Sequence, residues 1–175
     1  MTKRMVMDVE SVGLHGEAFA VGYVVTDEFG GEVGGAMYGC SPDSARGTAQ
    51  NRAWVAENVP SVAGGCSSPA EVRAKFWEDF KFWHEEGDLE VWADCGWPVE
   101  ARFLIACIEE DHRWREWSGP FPLHEVASVL LAAGMEPLKT YDRMRDELPV
   151  HDPLKDARQS ARLLTEAFKK IGGTK

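Results

Sequence analysis

The segment that most constrains this chain is Ala18–Thr26. Side chains alternate sides along a strand, so Phe19, Val21, Tyr23 and Val25 share one face and Ala18, Ala20, Gly22, Val24 and Thr26 the other. The first set is the more apolar, the period-2 pattern of a strand laid on a core. Apolar runs at 5–9 and 32–38 flank it, and Asp27-Glu28-Phe29-Gly30-Gly31 supplies the turn before the third run. Together these segments predict an antiparallel meander of three strands.

Beyond the meander the chain reads as mostly helical. Residues 48–58 read as a helix that stops before Pro60. Ser68, Pro69 and Glu71 then give an N-cap, a first-turn proline and a capping box. Val72, Phe76, Phe80 and Trp83 recur at helical spacing behind them, and Gly87 ends that helix. With Trp77 and Phe82, this aromatic run reads as core plus an oligomer contact; too few basic residues interleave with it for a nucleic-acid platform. Residues 89–93 predict a fourth strand. Further helices are expected from Pro98 to about Asp111, over 122–133, and over 152–171, the last with Asp152 as N-cap and Gly172-Gly173 as its stop. The order predicts a mixed α/β sheet with helices on its faces.

At 175 residues the chain is expected to form a single domain over 1–175, without linker, repeat or low-complexity tract. No apolar run is long enough for a membrane span, and residues 1–8 lack the apolar core of a secretory signal, so a cytoplasmic location is expected. Cysteines at 40, 66, 95 and 107 form no CxxC pair and predict free thiols rather than a zinc ribbon or redox site. The net charge of −10 is the wrong sign for coating long duplexes, whose phosphates demand Lys and Arg. It is compatible with a site that grips a few phosphates through divalent cations.

The acidic residues carry the chemistry. Asp8 and Glu10 stand two apart where the first strand leaves its core, so both carboxylates project from one face. Adjacent carboxylates repel unless a cation lies between them, and a hard divalent ion is a natural occupant. A solvated strand end is the other reading of the pair. Asp94 falls at the exit of the fourth strand and Glu100 at the front of the next helix; as ordinary caps they need no ligand. His151 precedes the last helix and Asp156 lies one turn inside it, where an acid also suits the helix dipole.

Taken in order, these clusters resemble the DEDDh 3′-to-5′ exonucleases. Asp8-Val9-Glu10-Ser11-Val12-Gly13-Leu14 is similar to that family's first motif, DxETTGL. His151-Asp152-Pro153-Leu154-Lys155-Asp156-Ala157 is similar to its third, HxAxxDA, with Pro153 in place of a small residue. Glu100-Ala101-Arg102-Phe103-Leu104 resembles the D-x-x-F-L run of the second motif, with Glu where the family has Asp. Trp54-Val55, Asn58-Val59-Pro60, Val91-Trp92-Ala93 and Asp156-Ala157-Arg158 look most like the compact adenylate-preferring exoribonucleases of mycobacteria.

The resemblance implies a ribonuclease H-like fold, two Mg2+ or Mn2+ ions, and hydrolysis of RNA or short single strands to nucleoside monophosphates. It implies Asp8, Glu10, Asp156 and Glu100 as metal ligands, with Asp94 as the alternative to Glu100, and His151 as general base. Histidine as a residue type titrates near neutrality, which suits that role. Gly13 and Leu14 would approach the terminal base; His15 and Trp97 could stack on it, although ordinary loop packing accounts for Trp97 as well. A homodimer is compatible with the oligomer contact read into the aromatic helix. The alternative is a nucleic-acid- or protein-binding module that keeps the fold but is catalytically weakened by Glu100.

Overall fold

The computed structural model describes residues 2–60, 62 and 65–173. The strands are β1 (Lys3–Ser11), β2 (Ala18–Thr26), β3 (Glu32–Gly39), β4 (Leu89–Ala93) and β5 (Leu123–Glu125). The helices are α1 (Ala49–Asn58), α2 (Pro69–Glu85), α3 (Ala101–Glu109), α4 (His112–Arg115), α5 (Val126–Ala132) and α6 (Pro153–Gly172). The strands form one mixed sheet in the order β3-β2-β1-β4-β5. The predicted meander is present, with β1 antiparallel to β2 and β2 to β3. β4 runs parallel to β1, and β5 parallel to β4. Parallel neighbours need crossover connections, and α1–α2 and α3–α4 lie in those connections.

Each face of the sheet carries its own core. On one face Met5, Met7, Phe19, Val21 and Tyr23 pack with Val72, Phe76 and Phe80 of α2 and Phe103 and Cys107 of α3. On the other, Val6, Val24 and Trp92 pack with Val126 and Leu130 of α5 and Ala157, Ala161 and Leu164 of α6. Both faces of β2 are therefore covered, which is why its second face carries small residues rather than polar ones. The Val72–Trp83 stripe of α2 does face the core; Trp77 joins it, while Phe82 remains exposed. The α2 cap is shared between neighbours: Ser68 Oγ accepts the Glu71 N–H at 3.3 Å, and the Glu71 carboxylate accepts from Ser67 N–H at 2.7 Å rather than from Ser68.

Two expectations differ from the structure. The helix expected from Pro98 begins instead with a wide turn over Gly96–Glu100 in which Trp97 is extended (φ −128°, ψ 137°), and regular α-helix starts at Ala101. The helix expected over 122–133 loses its first turn to β5, because Leu123, His124 and Glu125 pair with Val91, Trp92 and Ala93 at the open edge of β4. A three-residue strand is too short to show a period in sequence. Cys40, Cys66, Cys95 and Cys107 are not disulfide-bonded. Among the described residues no helix is long and apolar enough to cross a membrane.

One contact sets the position of α6. Gly22 of β2 lies beneath the first turn of that helix: a Cβ there would stand 2.2 Å from the Leu154 nitrogen and 2.3 Å from the Pro153 carbonyl carbon. Gly22 is also the register partner of Asp8. The N-terminus of α6 thus rests on the sheet directly beside the first acidic motif.

Candidate active site

β1 runs further than its parallel neighbour. Its ladder with β4 ends at the Met7–Ala93 pair, so Asp8 and Glu10 continue past the end of β4, into the crevice where α/β sheets place ligands. Both point to the Val6 face, toward α6. Asp94 follows Ala93 and so emerges beside Asp8. The turn at Gly96–Glu100 brings back Glu100, whose carboxylate takes a backbone hydrogen bond from Val9. Glu100 is 7 % exposed and Glu10 9 % exposed. Asp94 is exposed at the strand exit and accepts a hydrogen bond from Ser160, one helical turn beyond Asp156.

The α6 end of the site is built by its cap. Asp152 accepts the Lys155 N–H at 3.1 Å, and Pro153 occupies the first turn. Asp156 then faces β1 and accepts the His151 backbone N–H at 3.0 Å. The His151 imidazole reaches the other acid, with Nδ1 3.6 Å from Glu10 Oε1. Its ring meets Trp54 of α1 in a T-shaped contact, 5.5 Å between centroids and 80° between planes. Glu10, His151 and Asp156 each offer a ligand atom within 4.8 Å of the others.

The electrostatics are those of crowded acids. Burial raises the Asp8 carboxyl well above its ordinary value, and Asp156, Glu10, Glu100 and Asp94 push it further. Burial, then Asp156 and Glu100, lift Glu10 to about 8. Burial and Asp94 lift Glu100 to about 7, against the backbone hydrogen bonds that lower it. Asp156 is raised by burial and held back by Arg143, which is ion-paired with it. Such mutual repulsion is relieved by protons or by a hard cation. The donors are mainly carboxylate oxygens with one imidazole, a set that fits Mg2+ or Mn2+.

Glu10, His151 and Asp156 are thus brought together, and Glu10, Asp94, Glu100 and Asp156 all lie within electrostatic reach of Asp8. Leu14 (67 % exposed), His15 and Trp97 (69 % exposed) stand in solvent. Gly13 adopts φ +84°, and a Cβ there would lie 2.1 Å from Asn51 Nδ2. Asn51 donates to the Val12 carbonyl at 3.2 Å, tying the Gly13–Leu14 turn to α1. Asn51, Trp54, Arg143, Ser160 and Gly22 were not legible as site residues in sequence. Only Gly22 carried a signal, since a glycine inside a strand marks close backbone approach.

No protein-family model matches the chain, and no curated protein matches it in sequence. Solved structures do match in shape. E. coli exonuclease I with single-stranded DNA, in a zinc-bound form, superposes with a TM-score of 0.69 at 11% identity, over 99% of this chain and 42% of that one. A moderately thermophilic exonuclease I from Methylocaldum szegediense gives 0.67 at 16% identity, over 99% and 43%. A product-bound exonuclease I gives 0.61 at 12%, over 99% and 44%. The chain spans less than half the length of these neighbours. At such identities the likeness is one of fold: a mixed five-stranded, ribonuclease H-like sheet of the kind found in exonuclease I.

Proposed function

We propose that this protein is a metal-dependent 3′-to-5′ exonuclease acting on RNA or short single-stranded nucleic acid. The observation that carries the reading is the meeting of Glu10, His151 and Asp156 within 4.8 Å, beside Asp8 and Glu100, in a fold shared with exonuclease I. Asp8, Glu10, Asp156 and Glu100 would hold two ions, Mg2+ or Mn2+, with Asp94 as an outer ligand or as the substitute for Glu100. When bound, such ions supply the positive charge that stabilises in-line displacement at phosphorus. His151 takes the proton from the attacking water, and its contacts with Trp54 and Glu10 keep the ring turned toward the acids. Leu14 and Trp97, apolar and exposed, offer surface to a terminal base. A neighbour crystallised with single-stranded DNA supports a single-stranded substrate. The net charge of −10 supports a grip on one or two terminal nucleotides rather than a long phosphate track.

Glu100 in place of Asp favours one second reading, a binding module with weakened catalysis. Both are tested by incubating purified protein with 5′-labelled RNA and DNA oligomers, with Mn2+ or with a chelator. The nuclease reading expects stepwise shortening from the 3′ end and nucleoside monophosphates, abolished by the chelator. Oligomer binding without shortening at any Mn2+ concentration would establish the binding module instead.

A further inference from the structure

Five carboxylates, those of Asp8, Glu10, Asp94, Glu100 and Asp156, crowd the C-terminal end of β1. Among the described residues a single permanent cation, Arg143, is hydrogen-bonded to any of them. Its Nη1 donates to Asp156 Oδ1 and, at 2.9 Å, to the Glu147 carbonyl. Both side chains of the ion pair are less than a fifth exposed. The segment that bears Arg143 is clamped to α6. Arg162 grips the buried Glu147 carboxylate at 2.6 and 3.0 Å and the Asp142 carbonyl at 2.9 Å. Glu147 in turn accepts the Met144 N–H at 2.9 Å. The guanidinium is therefore aimed at the acidic cluster by its own scaffold; it is not a mobile surface side chain.

A carboxylate already paired with a guanidinium is a poorer ligand for a second cation, since both positive charges compete for the same oxygens. We propose that Arg143 is the built-in counter-cation of the acidic site: it neutralises Asp156 in the metal-free protein and yields that carboxylate when a divalent ion arrives, thereby setting the metal affinity. The inference rests on the metal-dependent reading of the site. It assigns Arg143 a positioning role, outside contact with substrate.

The test uses the full chain and two variants, Arg143→Gln and Arg143→Lys. Calorimetric titration with Mn2+ is paired with thermal unfolding in the presence of chelator and of saturating Mn2+. Arg143→Gln should melt below wild type without metal and match or exceed it with Mn2+. It should also bind Mn2+ about tenfold more tightly, a coupling of ordinary size. Arg143→Lys, which keeps the charge, should stay closer to wild type than Arg143→Gln does. A merely structural residue would lower the melting temperature equally with and without Mn2+; that result, or an unchanged or weakened Mn2+ affinity in Arg143→Gln, overturns the proposal and leaves the nuclease reading standing. A wild-type protein that takes up no Mn2+ overturns both.

Discussion

His151 holds a backbone conformation that L-residues avoid. Its φ of +60° lies in the left-handed region, which costs a non-glycine residue about 1–2 kcal/mol. The strain sits where the backbone N–H must reach Asp156 while the ring turns back toward Glu10, so one residue serves both acids. Removing the imidazole should lower turnover by ~10²–10⁴-fold, the usual contribution of a positioned base. His151→Gly should also melt higher than His151→Ala, because glycine relieves the left-handed strain. Equal turnover to wild type sinks the base; equal melting of the two variants sinks the strain account. The third carboxylate is a second question at this scale. Glu100→Gln is expected to weaken Mn2+ binding and nuclease rate more than Asp94→Asn, because Glu100 is buried against β1 and presses on both Asp8 and Glu10. The reverse ranking, measured by titration and rate, would give the ligand role to Asp94.

Between elements, the decisive contact is the seat of α6 on β2. Gly22→Ala puts a methyl group into the space of the Leu154 backbone, and the helix start must lift. The expected result is a loss of about 1–3 kcal/mol, typical of overpacking, together with a fall in Mn2+ affinity as Asp156 moves away from Asp8. Wild-type affinity in that variant would mean that α6 does not set the spacing of the acids. The meander and the core stripe of α2 could be read from the sequence alone; the meeting of Glu10, His151 and Asp156 was legible only through the resemblance of two distant short motifs to one exonuclease family. Each period, cap or motif lies within a dozen residues. β5 and the wide turn before α3 were not legible. β5 exists only because β4 offers it an edge, and Glu125 then accepts the Gly96 N–H at 3.1 Å, shaping the turn that delivers Glu100. Arg143 escaped for the same reason, since its meaning comes from a clamp by Arg162 that no local pattern encodes.

Over the whole molecule, the acidic site makes stability depend on pH and metal together. The folded carboxyls of Glu10 and Glu100 are raised to about 8 and about 7, above their ordinary 4.5, so the folded state binds their protons more tightly than the unfolded chain. Their stabilising contribution is complete below about pH 4.5 and is lost as pH rises through 7 to 8. Metal-free protein should therefore unfold at a lower temperature at pH 8 than at pH 5.5, and Mn2+ should restore it at the higher pH. A melting temperature that rises over this range without metal would contradict the crowded-acid account. The architecture has one more consequence, for synthesis. Asp8 and Glu10 belong to β1, whereas His151 and Asp156 stand at the start of α6, which is synthesised much later. A growing chain can pair its meander early, but the cluster of Glu10, His151 and Asp156 has no existence until α6 has cleared the exit tunnel and settled over Gly22. If the proposed nuclease activity rests on that cluster, a nascent chain has none until α6 is in place.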